Sequence, residues 1–348
     1  MGIVADFLVT NIQELVTCRG PETPRRGGAQ SDLSIIENGA VASYDGRIVF
    51  VGTTEEAKRI ELVEDGFFLD ATGKTVTPGL IDAHTHVVFG GTREREFELR
   101  LQGASYLEIQ ENGGGIHASV EATKAATLRD LIETAKGYLD EMLAHGTTTV
   151  EAKSGYGLDL DTEWKQLEAI RFADAQHPVD LIPTFLGAHA IPPNRDPDEY
   201  TDWLCEEVIP PVGLKNLARF CDVFCEKGNF NPEQTEKILT TAATYGMIGK
   251  IHADELTDLG GAALAARVGA ISADHLLMAN TDGLREMAQA GCVAVLMPGT
   301  PLFLGMQEQA DARSMIAMGL PVALGTDFNP GSCFVMSMPL VMSFACTR

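Results

Sequence analysis

Short strand-like runs dominate the first part of the chain. They lie at 3–10, 34–51 and 67–77. Asp45-Gly46 interrupts the second run and is a typical hairpin turn signal, whereas 18–32 is rich in Gly, Pro and Arg and predicts a loop. The pattern predicts that residues 1–77 form a small β-sandwich-like domain without a substantial helix.

From Pro78 onward, strand-like and helical patterns alternate, which is typical of βα units. The strand-like runs are 79–86, 147–152, 179–187, 220–225, 249–253, 270–275, 293–297 and 322–326. Helical patterns lie between them at 128–144, 162–175, 232–245, 261–268, 284–290 and 311–318. Eight strands with helices between them predict a closed parallel (β/α)8 barrel, a TIM-like α/β fold, over residues 78–348.

Composition narrows the class of protein. A net charge of −23 argues against nucleic-acid and anionic-membrane partners, and no apolar run is long enough to span a membrane. The N-terminus lacks the basic segment of a signal peptide, and the seven cysteines are scattered, which favours a cytoplasmic protein with reduced thiols. The same charge repels anionic substrates, so binding one would require a local cation.

Candidate metal ligands fall at the ends of the predicted barrel strands. His84 and His86 are two residues apart, so both point to one face of the first strand. His252, His275 and Asp327 end the fifth, sixth and eighth strands. A lone His-X-His pair is as compatible with two ordinary histidines, but strand ends converge at one face of a barrel. Three neutral histidines and one carboxylate around a divalent ion would lower the pKa of a bound water towards about 7.

Proton transfer also requires a protein group, for which Glu255 and His275 are the candidates. A second metal would need a bridging ligand at a middle strand end. Lys153, Cys225 and Glu226 are the candidate bridging residues. The spacing favours one metal ion over two, and the ligand types suit Zn and Fe equally.

Several blocks of sequence resemble one family. PGLIDAHTH (78–86) resembles the opening signature of the amidohydrolase superfamily. Further blocks are similar to the imidazolonepropionase family, namely VVFGGTREREFELRLQG (87–103), YLEIQENGGGI (106–116), TVEAKSGYGLD (149–159), PTFLGAHAIPP (183–193), DVFCEKGNF (222–230), KIHADE (250–255), SADHL (272–276) and ALGTDFNPGS (323–332). The resemblance extends over residues 78–346 and is specific, because other amidohydrolases share the His-X-His pair but not these blocks.

The resemblance implies hydrolysis of 4-imidazolone-5-propanoate to N-formimidoyl-L-glutamate in histidine degradation, with one divalent ion per chain, Zn or Fe. It also implies a homodimer. The implied metal ligands are His84, His86, His252 and Asp327. His275 corresponds to the residue that activates the attacking water, and Glu255 to a ring-contacting and proton-transfer position. The implied substrate-binding residues are Arg93, Tyr156, His189, Glu255, Asn329, Gly331 and Ser332.

The substrate-binding assignments have ordinary structural alternatives. Arg93 lies seven residues after His86, on the first βα loop, where its guanidinium could hold a carboxylate in a bidentate manner. It could equally be a solvated loop arginine. Tyr156, in a Ser-Gly-Tyr-Gly run predicted to be flexible, could be a loop aromatic residue, and His189 a buried histidine with a structural hydrogen bond.

The chain departs from the family in one respect. Family members continue past the eighth strand through a last helix and return to the small β domain, whereas this sequence stops at Arg348. The small domain is therefore expected to be incomplete. Two other classes remain open at this point. A deaminase of an aminated purine or pyrimidine would not need a carboxylate anchor such as Arg93, and a catalytically inactive relative would be expected to have lost metal ligands.

Overall fold

The computed structural model describes residues 2–103 and 114–347. These divide into two compact units, the first ending at Gly79 and the second beginning at Leu80. The first unit is built on one sheet, and the second on a set of parallel strands with helices between them.

The first unit contains a five-stranded sheet with the order β3-β2-β1-β4 and with β5 beside β1. Its strands are β1 (Ile3–Val16), β2 (Ile35–Tyr44), β3 (Arg47–Thr53), β4 (Ile60–Asp70) and β5 (Thr75–Val76), with a short helix α1 (Thr54–Ala57) and a 3-10 turn (Gly27–Ser31). β1 pairs with β2, and β2 with β3, in antiparallel fashion, whereas β1 and β4 are parallel.

The predicted hairpin in this unit is confirmed. Asp45 and Gly46 have φ angles of 49° and 70°, which is the left-handed conformation that a two-residue hairpin turn requires. The predicted strand at 67–77 was misplaced, because β4 begins at Ile60 and ends at Asp70. Its first half carries three acidic residues among its apolar ones, and it lacks the clean alternation by which a half-buried strand is recognised.

The second unit confirms the predicted TIM-like α/β barrel. Eight parallel strands follow one another in the order β6 to β13. They are β6 (Leu80–Thr85), β7 (Thr147–Lys153), β8 (Asp180–Ala188), β9 (Phe220–Cys225), β10 (Ile248–Ala253), β11 (Ser272–His275), β12 (Val293–Leu296) and β13 (Val322–Leu324). Just beyond β13, Asp327 N donates to His84 O at 3.0 Å and His86 N donates to Phe328 O at 2.8 Å. These bonds bring the first and last strands together at the carboxyl end of the barrel.

Helices connect the strands. They are α2 (Glu94–Leu101), α3 (Ile116–Ala125), α4 (Leu128–Ala144), α5 (Leu160–Asp174), α6 (Pro197–Trp203), α7 (Ile209–Leu214), α8 (Pro232–Thr244), α9 (Gly261–Val268), α10 (Thr281–Ala290), α11 (Gly299–Leu304), α12 (Ala312–Ala317) and α13 (Met338–Cys346). A π-helical segment, Leu204–Val208, joins α6 to α7. Thr127 and Asn231 form capping boxes at the starts of α4 and α8, which explains where these two helices begin.

In the described part of the second unit, six helices were not predicted from the sequence. They are α2, α3, α6, α7, α11 and α13. Helix α2 has mostly charged residues and buries none of them, so it lacks the apolar stripe by which an amphipathic helix is recognised. Helix α13 is apolar at most of its positions, which hides the same periodicity.

The core of the second unit lies between the barrel and its helices. Leu139, Met142, Leu167, Ile170 and Phe185 are fully buried there. The interior of the barrel is unusual, because charged side chains project into it in place of the branched apolar residues that commonly fill such barrels. All seven cysteines are free thiols, and five of them are buried. Among residues 2–103 and 114–347, no helix combines the length and apolarity needed to cross a bilayer.

Gly325 tests the closure of the barrel. A Cβ atom at this position would lie 2.9 Å from the Cβ of His84 and 3.1 Å from its backbone nitrogen. We expect Gly325→Ala to force β13 away from β6 and to lower the free energy of unfolding by about 1–3 kcal/mol, measured by chemical denaturation.

Gly249→Ala is the matched control. Its added Cβ would approach the Leu239 side chain no closer than 3.5 Å, an ordinary contact, so the stability should be nearly unchanged. If both variants unfold at the same denaturant concentration as the parent, close packing at Gly325 does not limit barrel closure.

Candidate active site

Four histidines and one aspartate meet at the carboxyl end of the barrel. His84 lies in β6, His86 just after it, His252 in β10, His275 at the end of β11 and Asp327 after β13. All five are at least 97% buried. The ring centroids of His84 and His252 are 4.5 Å apart, and those of His84 and His275 are 5.3 Å apart. The structure therefore brings together the five side chains that the sequence placed at separate strand ends.

The donor atoms of this cluster are close enough to share a metal ion. They form two groups with all donor atoms within 4.8 Å, and both groups contain His84. One group adds His252 and His275, and the other adds His86 and Asp327. Nδ1 of His84 lies 2.6 Å from Asp274 Oδ2, whereas its Nε2 is buried without a hydrogen-bond partner.

A proton on Nδ1 of His84 leaves the Nε2 lone pair facing the other donors, as in histidines that bind metals. A buried nitrogen without a partner is costly unless a ligand satisfies it. The donor set therefore fits a divalent metal ion.

The protonation states of three of the histidines also favour the binding of a cation. Burial lowers the pKa of His84, His86 and His275 well below the usual range for histidine, so these rings are neutral at pH 7. Burial also opposes a charge on His252. However, Asp222 Oδ2 lies 2.9 Å from its Nδ1, and this carboxylate raises the pKa of His252. In the neutral form of this ring, which metal binding requires, the proton stays on Nδ1 beside Asp222 and Nε2 can bind an ion.

Asp327 supplies the negative charge of the cluster. Its Oδ1 lies 3.5 Å from Nε2 of His84 and 3.6 Å from Nε2 of His86. Thr300 Oγ1 donates to its other carboxylate oxygen at 2.7 Å. Burial raises the pKa of Asp327 to about 6, so the group is mostly ionised at neutral pH even without a metal ion.

The three candidates for bridging a second metal have other roles. Nζ of Lys153 donates to Glu151 at 2.8 Å and to Asp222 at 2.7 Å. These carboxylates outweigh the effect of burial and raise the pKa of Lys153, so its amine is protonated. Burial raises the pKa of Cys225 to about 11, and Glu226 accepts hydrogen bonds from the loop after β10. Within the described residues, neither metal-type group includes any of the three.

Glu255 follows β10 and faces His275. Its Oε1 lies 3.7 Å from Nδ1 of His275. Burial, together with the charge of Asp327, raises the pKa of Glu255 to about 8, so its carboxyl group is protonated at pH 7 and can donate a proton. Asp254 braces this loop, because its carboxylate accepts backbone N–H groups from residues 259, 261 and 262.

Aromatic rings form the wall beside the metal-type cluster. The ring of His189 stacks on His86 with a centroid distance of 4.9 Å, and Tyr156 lies 5.2 Å from His189. Nδ1 of His189 lies 3.0 Å from Gly155 O. Burial lowers the pKa of His189 to about 3, so the ring is neutral, and burial raises the pKa of Tyr156. The wall is therefore uncharged and has polar edges.

The run that carries Tyr156 is held in place, and the prediction of a flexible segment is wrong. The buried carboxylate of Glu163 accepts hydrogen bonds from the backbone N–H groups of residues 155, 157 and 158. Oε1 of Gln166 accepts from Tyr156 N at 3.0 Å. Both acceptors lie on α5, so that helix fixes the position of Tyr156.

Arg93 lies at the start of α2, close to the loop that follows Asp327. Its Nη2 pairs with Glu96 Oε2 at 2.7 Å, whereas its Nε is buried without a partner. A Cβ atom at Gly331 would lie 2.1 Å from Nη1 of Arg93, so the guanidinium rests directly against the Gly331 backbone. Nη2 of Arg100 donates to Gly331 O at 2.9 Å. Two arginines therefore meet at this glycine.

Asn329 organises the loop beside Arg93. Its Oδ1 accepts from the backbone N–H groups of Gly331 and Ser332 at 2.8 and 2.7 Å. Its Nδ2 donates to Asp327 O and to Ser332 Oγ, both at 2.7 Å. The amide of Asn329 is thus engaged within the loop and shapes it between Asp327 and Gly331.

Sequence reasoning missed several residues that support this site. They are Glu96, Arg100, Asp222, Asp274 and Thr300. Asp222 and Asp274 carried a usable signal, because each is a charged residue inside an otherwise mostly apolar strand. Glu96 and Arg100 carried no such signal, because most residues of α2 are charged. Of the resembling block 106–116, residues 106–113 lie outside the described residues.

Comparison with known proteins gives the family. No family model matches the chain. The imidazolonepropionase of Geobacillus kaustophilus is 52% identical over 345 residues, which cover 98% of this chain and 81% of that protein. The imidazolonepropionase of Alkaliphilus oremlandii is 49% identical over 343 residues, with the same shares covered.

Solved structures share the fold at low identity. A mutant atrazine chlorohydrolase from Arthrobacter aurescens complexed with zinc and atraton has a TM-score of 0.65 and 16% identity, covering 94% of this chain and 73% of that one. Guanine deaminase from C. acetobutylicum, with bound guanine, has a TM-score of 0.61 and 14% identity, covering 98% and 78%. These solved structures show the same barrel fold, and the more similar relatives place the chain in the class of hydrolases. Within it, the chain belongs to the imidazolonepropionase family.

The raised pKa of Glu255 predicts a dependence of stability on pH in protein stripped of metal. The group titrates near 4.5 when unfolded and at about 8 when folded. Between these values the folded state keeps a proton that the unfolded state has released, so the free energy of unfolding falls as the pH rises. Glu255→Gln should flatten this fall in melting curves recorded across the window.

Glu121→Gln changes an exposed carboxyl on α3 and serves as the control. It should reproduce the parent profile. A Glu255→Gln profile as steep as that of the parent would show that other buried groups, such as Asp82 and Asp327, account for the whole dependence.

Proposed function

We propose that this protein hydrolyses the ring amide C–N bond of 4-imidazolone-5-propanoate to give N-formimidoyl-L-glutamate, a step of histidine degradation. The observation that carries the proposal is that the metal-type cluster and the guanidinium of Arg93 are joined by one short loop. That loop leaves Asp327 and reaches Gly331, against which Arg93 rests. The substrate has the two matching parts, a cyclic amide and a carboxylate tail.

The residues that would hold the metal are His84, His86, His252 and Asp327. One divalent ion per chain is proposed, Zn or Fe, since imidazole and carboxylate ligands suit both. When bound, the ion would act as a Lewis acid on the amide and lower the pKa of a water molecule. Within the described residues, the candidates for a second metal lie outside the donor groups, which supports a single ion.

His275 and Glu255 are proposed to move the protons. His275 is buried and neutral, so its ring can accept a proton from the attacking water. Glu255 holds its proton at neutral pH and can donate it to the ring nitrogen as the C–N bond breaks. With one proton accepted and one donated, the carbonyl carbon gains the oxygen of water and the nitrogen leaves as a neutral group.

Substrate orientation is assigned to the surrounding side chains. Arg93 would hold the propanoate carboxylate, which the net charge of −23 otherwise repels. Tyr156 and His189 would flank the ring, with Glu255 beside it. Asn329, Gly331 and Ser332 would hold the substrate or product through the loop that Asn329 shapes. Free thiols are typical of a cytoplasmic protein, and that location and a homodimer stay predictions.

The metal ligands can be tested by composition. Purified protein should carry about one divalent ion per chain, and His252→Ala or Asp327→Ala should remove it, as measured by elemental analysis. His275→Ala should keep the metal and lose roughly 10²–10⁴ in kcat, because it removes the base and not a ligand.

His145→Ala, an exposed histidine at the end of α4, should change neither the metal content nor the rate. A fully active enzyme without metal would disprove the site. Equal loss of metal and rate in His275→Ala would make that residue a ligand.

Arg93 tests the substrate class. Arg93→Ala should lower kcat/KM on imidazolonepropanoate by about ten- to a hundredfold, because a charge-assisted bidentate contact contributes about 1.5–3 kcal/mol. Arg93→Lys should recover little, since an ammonium group lacks the planar fork. The metal content should stay the same in both variants.

The exposed neighbour Arg95→Ala is the control and should behave like the parent. A ring analogue without the carboxylate should be a poor substrate that responds little to Arg93→Ala. Normal turnover by Arg93→Ala would place the anchor elsewhere, and faster deamination of a neutral nucleobase would favour a deaminase.

A further inference from the structure

Charged side chains inside the barrel link two of the proposed metal ligands. They are Asp222 on β9, Lys153 and Glu151 on β7, Lys250 on β10 and Asp274 on β11, and we call them the barrel-interior network. Lys153, Asp222 and Asp274 are 0% exposed, and Glu151 and Lys250 are no more than 5% exposed. The residues lie on four of the five successive strands from β7 to β11, and all of them are charged types.

The contacts of the network can be followed from one histidine to the other. Nδ1 of His252 lies 2.9 Å from Asp222 Oδ2, and the same oxygen lies 2.7 Å from Lys153 Nζ. Lys153 Nζ lies 2.8 Å from Glu151 Oε1, which lies 3.6 Å from Lys250 Nζ.

The path ends at the other metal ligand. Lys250 Nζ lies 3.2 Å from Asp274 Oδ2, and that oxygen lies 2.6 Å from His84 Nδ1. Negative and positive groups therefore alternate along a continuous path between His252 and His84.

Stability alone does not explain such an arrangement. Removing charges from water is costly, and well-packed apolar residues often replace buried ion pairs without loss of stability. Here the charges have fixed partners. Ser272 Oγ donates to Asp274 at 2.6 Å, and Lys250 Nζ donates to Ala83 O at 3.1 Å. The buried network thus has further hydrogen bonds to its surroundings, and partners of this kind help to hold a ring in one orientation.

We propose that the barrel-interior network fixes the orientations of His84 and His252 relative to each other, and so sets the affinity of the site for its divalent ion. Its members are positioning residues. This inference rests on the metal site proposed above. Asp274 is hydrogen-bonded to Nδ1 of His84, whereas Asp222 lies against Nδ1 of His252 and accepts a hydrogen bond from the backbone N–H of that residue. The lysines hold the two carboxylates, and Glu151 lies between the two lysines.

Glu151 gives the sharpest test, because its side-chain contacts are with Lys153, Lys250 and Thr184. Glu151→Gln keeps the shape and removes the charge. We expect the affinity for Zn²⁺, measured by competition with a chromophoric chelator, to fall about 10–100-fold. The visible spectrum of Co²⁺-loaded protein should also change, since it reports the ligand geometry.

Glu163→Gln is the matched control. Glu163 is also a buried carboxylate, but it accepts hydrogen bonds from the loop that carries Tyr156. Its substitution should lower the melting temperature without changing the Zn²⁺ affinity or the Co²⁺ spectrum. A merely structural role for the network would make the two variants behave alike.

A double-mutant cycle tests whether the path acts as one unit. Lys153→Met and Lys250→Met each remove one link, and both lysines contact Glu151. If the network is continuous, the loss of Zn²⁺ affinity in the double variant should be smaller than the product of the single losses. Independent contacts would give the product and would overturn the proposal.

If a lysine variant does not fold, Ser272→Ala provides a second test of the barrel-interior network. It removes the hydrogen bond to Asp274 alone and should lower Zn²⁺ affinity by less than Glu151→Gln. Parent-like Zn²⁺ affinity in both Glu151→Gln and Ser272→Ala would overturn the network while leaving the metal site intact. A parent protein that binds neither Zn²⁺ nor Fe²⁺ would overturn the metal site as well.

Discussion

The site depends on the contact between the first and last strands of the barrel. Asp82, buried in β6, accepts hydrogen bonds from both the backbone N–H and the hydroxyl of Thr326, at 2.9 and 2.6 Å. The backbone bonds of His84 and His86 to the segment after β13 lie next to this pair. Because these bonds fix Asp327 against the two histidines, three proposed ligands from opposite ends of the barrel sequence become neighbours. The same hydrogen bonds therefore close the barrel and bring these three ligands together.

The remaining parts of the site are held in place by buried carboxylates that do not face the cavity. Carboxylates hold two of the histidines, the Glu163 carboxylate holds the loop of Tyr156, and Asp254 braces the loop of Glu255. Each of these acceptors is buried and meets N–H groups. Nε2 of His84, by contrast, faces the other donor atoms and has no hydrogen-bond partner. The two histidines, the loop of Tyr156 and the loop of Glu255 are thus each held by a separate group before any ligand binds.

Much of this arrangement could be predicted from the sequence. The βα alternation predicted the barrel, and the strand-end positions of His84, His252, His275 and Asp327 predicted that these side chains would converge. Contacts between strands that are distant along the chain could not be predicted from the sequence. The pairing of Asp222 with His252 depends on the register of β9 against β10. The alternation of residues along a strand constrains which face a side chain lies on, but it leaves shifts by two residues open. The clustering of Arg93 and Arg100 at Gly331 depended on helix α2, whose charged sequence predicted no helix.

The ion pair between Arg93 and Glu96 has a consequence for ligand exchange. The guanidinium already holds a carboxylate of its own chain, and Glu96 also accepts a hydrogen bond from Gly115 N at 2.9 Å. A carboxylate that bound through Nη2 of Arg93 would have to displace Glu96, so it would exchange one ion pair for another. The affinity for such an anion would then be reduced by the strength of the pair that it displaces. A displaced Glu96 would also compete for the guanidinium, which would favour release of the ligand after turnover.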